Sequence, residues 1–175
     1  MARRAFDRVI ITGAASGIGR CFAATLAGDG SALGLVDVSA DPLHATAIAL
    51  GGEKTRVHTR VVDVSDRGRV EEAVSSLAGE LGGLDLVVHC AAVLFPGRFL
   101  DQPPGEFERA IAVDLLGTAN VVRAAAAPLA ASRGAIVCLA STAAIHGWPA
   151  MSAYSAAKCG VAGFSDAVRS ELRAS

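Results

Sequence analysis

Thr12-Gly13-Ala14-Ala15-Ser16-Gly17-Ile18-Gly19 follows directly on the apolar run Arg8–Thr12, and a helical pattern opens at residue 17. A strand that turns through glycines into a helix has a definite physical use. Glycine permits the tight turn and lets the backbone approach a ligand with no Cβ in the way. The helix start then aims free N–H groups and the positive end of its dipole at an anion. Gly13, Ser16, Gly17, Ile18 and Gly19 are therefore candidate contacts to a pyrophosphate. The next apolar run, Ala32–Asp37, ends on a carboxylate 18 residues after Gly19. Asp37 is placed to accept hydrogen bonds from adenosine ribose hydroxyls and to repel a 2′-phosphate. Strand, loop, helix and acid agree on dinucleotide binding, with NAD favoured over NADP. Asp63 and Val64, behind the third run, extend the candidate surface towards the adenine; Asp63 serves almost equally well as a cap for the helix that follows.

Outward from this loop the chain alternates. Short apolar runs at Arg8–Thr12, Ala32–Asp37, Arg56–Val62, Leu84–Cys90 and Ala135–Ala140 are continuous rather than alternating, as in strands buried on both faces of a parallel sheet. Helical patterns lie at 17–28, 41–51, 66–82, 105–131 and 150–173. Asp41-Pro42 reads as a cap followed by a first-turn proline. Ser65 or Asp66 reads as the next cap, and Pro128 should kink the fourth helix or end its regular hydrogen bonding. The order predicts one α/β domain over residues 1–175, a doubly wound parallel sheet of about five strands with right-handed crossovers. The six-strand order of such sheets needs a strand beyond the fifth, and the sequence ends at Arg173-Ala174-Ser175, at the close of a helix. The C-terminal strands are therefore expected to be missing, leaving Ala135–Ala140 as an open edge.

Bulk properties exclude several classes. At 52% hydrophobic and 19% charged the chain is too apolar for disorder, and a net charge of −1 offers no surplus to neutralise nucleic-acid phosphates. Cys21, Cys90, Cys138 and Cys159 have neither close pairs nor nearby histidines at metal spacing, so neither a metal nor a disulfide is expected. Arg3, Arg4 and Arg8 before Val9-Ile10-Ile11 imitate a secretory leader, but Thr12 and the glycines break the run. The uncharged stretch 134–157 is too polar and broken to span a membrane. The expectation is a soluble, cytoplasmic protein with no membrane contact.

Tyr154-Ser155-Ala156-Ala157-Lys158 places the only tyrosine and one of only two lysines four residues apart, the other lysine being Lys54. On a helix they share a face. A lysine charge favours the phenolate, drawing a phenol down from its ordinary value of about 10 towards working pH, as a general acid/base for alcohol–carbonyl exchange requires. Ser141 ends the fifth run, at the same end of the sheet as the loop and Asp37, where open α/β sheets bind ligands. A hydroxyl there can hold a substrate oxygen.

Together, T-G-x-x-x-G-x-G at Thr12–Gly19, Asp37, Asp63-Val64, Ser141 and Y-x-x-x-K at Tyr154 and Lys158 resemble the short-chain dehydrogenase/reductase family, from the first strand to the end of the chain. The resemblance implies an NAD-dependent oxidoreductase with a Rossmann fold acting on a small alcohol or carbonyl. Tyr154 would exchange a proton with the substrate oxygen, Lys158 would hold the nicotinamide ribose and lower the phenol, and Ser141 would position the carbonyl. Where relatives carry N-N-A-G this chain has His89-Cys90-Ala91-Ala92; Ala91 and Ala92 still allow close approach to the cofactor. The family's further asparagine, in V-N-L-x-G, is here Asp114 in Val113-Asp114-Leu115-Leu116-Gly117, an aspartate in the catalytic set. Ile145, His146, Trp148 and Met151, with Phe95 and Phe99, are expected to line the substrate wall. Helices 105–131 and 150–173 are where relatives pair, which implies a homo-oligomer. The alternative is a truncated relative that binds NAD without turnover.

Overall fold

The computed structural model describes residues 6–51 and 56–174; Arg3, Arg4, Lys54 and Ser175 lie outside them. Five strands form one parallel sheet: β1 (Arg8–Thr12), β2 (Ala32–Asp37), β3 (Val57–Val61), β4 (Leu86–His89) and β5 (Ala135–Cys138), in the order β3-β2-β1-β4-β5. Every expected strand is present, the last three being shorter than their apolar runs. The chain reverses its direction of travel across the sheet between β1 and β4, the place where doubly wound sheets open a crevice.

Strand geometry splits the core in two. Successive side chains point to opposite faces, so Val9, Ile11, Leu33, Leu35, Leu86 and Val88 pack with Ala23 of α1 (Gly17–Gly28) and Leu43 of α2 (Ala40–Leu50). Ile10, Val36 and Val87 face the other way, onto Val70, Val74 and Leu77 of α3 (Arg67–Leu81) and Val121, Ala125 and Leu129 of α5 (Gly117–Ser132). Each fully buried Leu, Ile or Val contributes roughly 1.5–3 kcal/mol.

The helices depart from expectation in informative places. The residue before α2 is Ser39, and Asp41 lies inside the first turn, where its charge meets the helix dipole rather than capping. Asp66 caps α3, accepting the Arg69 N–H at 3.1 Å. Residues 105–131 do not form one regular helix: α4 (Glu106–Ala110) passes through a π segment (Ile111–Leu116) before α5 begins. Pro128 does not end α5, which runs on to Ser132, so the irregularity sits a dozen residues upstream of the proline. The continuous run Glu106–Ser132 is long and apolar enough to cross a membrane, and half of its most apolar window is buried within this domain. The last helix, α6 (Ser152–Ala174), packs on α4 and the π segment.

Arg8 and Asp85 lock the entry to β1 and β4. The Arg8 amide and Nε donate to Asp85 Oδ2 at 3.0 and 2.9 Å, and a guanidinium nitrogen meets Oδ1 at 2.5 Å. These bonds hold the Asp85 carboxyl below the ordinary carboxylate range, against its burial. A carboxyl lowered on folding stabilises fully above its unfolded value of about 3.9, and the contribution is lost as pH falls through the lower folded value. Asp85→Asn is accordingly expected to lower Tm at neutral pH by a few degrees. The gap to the unsubstituted chain should close on acidification; a gap independent of pH would contradict the assignment.

Candidate active site

The glycine-rich turn folds as its chemistry demands. Gly13 and Gly17 have φ of 67° and 48°, a left-handed backbone that suits glycine. A Cβ on Gly13 would come within 2.8 Å of the Ala91 amide nitrogen, and one on Gly19 would overlap the Gly13 carbonyl oxygen. The loop thus packs against both the end of β4 and its own helix, with Ser16, Gly17 and Ile18 left exposed. Asp37 closes it from the far side: one carboxylate oxygen accepts the Ala15 N–H at 3.0 Å, the other the Ser39 N–H at 2.9 Å.

A cavity of about 340 Å³ opens here, lined by the loop, Asp37, Asp63, Val64, Ala91 and Ala92. All ten residues read as cofactor contacts from the loop, the acids and the two alanines border it. Val38, Ser39, Val62, Cys90, Val93, Arg109 and Val113 join them without having been singled out. Most of these are sequence neighbours of the expected contacts; Arg109 comes from α4, where no local motif marks it, and Val113 from the motif segment that carries Asp114. Asp63 is engaged: its carboxylate accepts from the Ser65 amide and hydroxyl and pairs with Arg109 at 2.6 Å. Burial works to raise this carboxyl, but the Ser65 bonds and the Arg109 guanidinium together hold it below the usual range. It closes a turn and anchors α4, whereas the helix cap is Asp66. The bare glycine backbone, the exposed helix start and the carboxylate at the end of β2 fit a dinucleotide.

Ser141, Tyr154 and Lys158 lie outside that cavity's lining, beyond the ends of β4 and β5. Ser141 begins a 3₁₀ turn (Thr142–Ala144), and its Oγ accepts the Ala143 N–H at 3.2 Å. The hydroxyl proton can therefore be given elsewhere. α6 packs on this turn and presents Tyr154 and Lys158 from one face, with the ammonium 5.5 Å from the phenol ring centroid. Lys158 is buried and donates to the Leu139 carbonyl at 3.0 Å, and the Leu139 amide in turn donates to His89 O. The lysine is thereby fixed to the strand ends.

The π segment turns Asp114 inward, fully buried, where Oδ1 accepts the Val93 N–H at 2.8 Å and Oδ2 lies 3.7 Å from Lys158 Nζ. Widened π turns recur at functional sites for such reasons. Asp114 meets the site through Lys158 and through Val93, which lines the cavity. Its carboxyl is raised by burial, against the Val93 bond and the lysine charge. His89 is also buried. The Thr12 hydroxyl accepts the Ala91 N–H and sits 2.7 Å from His89 Nδ1, joining β1 to β4. Burial, aided by the Lys158 charge, pushes His89 down to about 4, so its imidazole is neutral near pH 7.

The expected substrate wall is only partly assembled. The Gly97 N–H donates to Ala150 O at 2.9 Å, tying the loop that carries Phe95 and Phe99 to the one that carries Ile145 and Trp148. Trp148 stacks edge-on with His146, and Phe99 with Phe107, while Ile145 stays largely exposed. All four cysteines are free thiols, and among the described residues no cluster of three His, Cys, Asp or Glu is gathered as a metal site would need.

The sequence pattern of the family described as short chain dehydrogenase matches residues 7–175, nearly the whole chain. The chain belongs to the short chain dehydrogenase family. Among its relatives, a probable oxidoreductase, EphD, of Mycobacterium tuberculosis is 36% identical over 168 residues, covering 95% of this chain and 28% of its own. D-threitol dehydrogenase of Mycolicibacterium smegmatis is 35% identical over 165 residues, covering 93% of this chain and 63% of its own. A short chain dehydrogenase from Mycobacterium paratuberculosis, solved bound to NAD, superposes with a TM-score of 0.91 at 31% identity, over 97% of this chain and 69% of that one. The chain thus spans 28% to 69% of the length of these three relatives.

Proposed function

We propose that this chain carries the NAD-binding and catalytic part of an oxidoreductase that interconverts an alcohol with a ketone or aldehyde. The observation that carries the reading is the placement of Tyr154 and Lys158 on one face of α6, at the same end of the sheet as the phosphate loop and Asp37. The cofactor supplies hydride exchange at its nicotinamide. The residues of the chain do the rest. Gly13, Ser16, Gly17, Ile18 and Gly19 receive the pyrophosphate, and Asp37 the adenosine ribose, with Asp63, Val64, Ala91 and Ala92 along the cavity. Ser141 donates to the substrate oxygen. Tyr154 takes its proton in oxidation and returns it in reduction, and Lys158 holds the ribose and favours the phenolate. The names of NAD-bound relatives and their dehydrogenase activities support this reading.

Asp37 makes the cofactor preference testable. Its carboxylate, held at the cavity by two backbone amides, is a fixed negative charge where a 2′-phosphate would have to sit. Asp37→Ala is expected to reduce the preference for NAD over NADP by at least about tenfold, the equivalent of 1.4 kcal/mol. The ratio of the two dissociation constants checks it, and an unchanged ratio removes Asp37 from this role. The same proposal extends to a homo-oligomer formed through the run 105–131 and α6, which sedimentation analysis would reveal.

A further inference from the structure

We propose that Asp114 is the counter-charge of Lys158, cancelling much of the field the ammonium exerts on Tyr154 and so setting the pH at which the phenol gives up its proton. The inference rests on the reading of Tyr154 as acid/base and adds to it a positioning residue that acts through the lysine.

The geometry of Asp114 is that of an ionised carboxylate. Its two neighbours are both donors: the Val93 amide at Oδ1 and the Lys158 ammonium 3.7 Å from Oδ2. Oδ2 is buried and makes no hydrogen bond. An ionised carboxylate there faces the Lys158 ammonium directly. Burial raises this carboxyl even against the Val93 bond and the lysine charge; the ammonium 3.7 Å away offsets part of the cost that a buried charge carries.

No other group can play this part. The titratable side chains seen to interact with Lys158 are Asp114 from the π segment, Tyr154 from α6, His89 and Cys90 from the end of β4, and Cys138 from β5. His89 is neutral. Burial pushes Cys90 up to about 11 and raises Cys138 as well, so both remain thiols. Among the described residues, Asp114 is the single negative charge facing this lysine. An uncompensated ammonium 5.5 Å from the Tyr154 ring would favour the phenolate strongly; a paired one favours it less.

Tyr154 is the only tyrosine in the chain, so its ionisation can be read directly from phenolate absorbance, with no cofactor or substrate. Asp114→Asn keeps an acceptor for the Val93 N–H and removes the charge. The expected result is a fall of about one pH unit or more in the titration midpoint, with the pH profile of alcohol oxidation moving the same way. That is about a tenfold gain in phenolate below the midpoint. A midpoint unchanged or raised in folded variant, as judged by circular dichroism, overturns the proposal. Carbon-13 NMR of the Asp114 carboxyl in the unsubstituted chain tests it without any variant: an ionised carboxylate at pH 7 is expected, and a protonated one overturns it. A midpoint that falls as expected in a protein without turnover would leave the coupling standing and refute only the oxidoreductase reading.

Discussion

Replacing Tyr154 with phenylalanine is expected to cut kcat/KM for alcohol oxidation by about a thousandfold while changing the Kd for NADH by less than about twofold. Positioned general acid/base groups contribute roughly 10²–10⁴-fold, and the other titratable groups beside Lys158 are poorly suited to take over. His89 is buried against Thr12 with an imidazole pushed down to about 4, and Cys90 is a thiol pushed up to about 11. Ser141 is placed to donate, its Oγ already accepting the Ala143 N–H. The phenyl ring fills the same half-buried place on α6, so Lys158 should keep its bond to Leu139 O and the cofactor cavity its shape. Activity retained in Tyr154→Phe would remove the tyrosine from the reaction.

Gly19→Val should be at least as damaging, at a different step. Any Cβ at position 19 overlaps the Gly13 carbonyl oxygen, and the atoms it strikes are backbone, which cannot swing aside. Either the turn opens or α1 withdraws from the sheet, where Ala23 and the loop residues Ala14 and Ala15 are packed in the core. Both outcomes displace the N–H groups aimed at the pyrophosphate. We expect NADH binding to weaken by more than about a hundredfold, near 2.7 kcal/mol, with a lowered Tm. Wild-type affinity in the folded variant would show that the phosphates do not sit over this turn.

Much of this architecture was legible because its signals are local. A glycine turn behind a strand and a Tyr–Lys pair at helical spacing each span a few residues, and a carboxylate closes the very next strand. The five strands were legible because burial on both faces makes them continuous apolar runs, although their ends are trimmed where the chain leaves the ladder, as at Leu139 and Ala140. The capping of α2 was misread because Asp-Pro is a strong helix-start signal; here the helix begins two residues earlier and Asp41 serves the dipole instead. The π segment at Ile111–Leu116 has no such mark. An extra residue in one turn is set by what the helix must reach, and here it carries Asp114 to Lys158 and Val93. The pairs Arg109–Asp63, Thr12–His89 and Asp114–Lys158 join residues 46, 77 and 44 positions apart, and the fold alone brings them together. Asp114 was noticed only as a departure from V-N-L-x-G. Its position under the lysine, the basis for treating it as a charge rather than a lost amide, needed the structure.

The central claim is that the ends of β1, β2 and β4 hold a nicotinamide dinucleotide. A calorimetric titration of NADH into the 175-residue chain tests it most directly. Saturable binding at one site per chain is predicted, with a Kd on the order of micromolar and with NADPH binding more weakly. Folded protein that takes up no NADH would contradict it.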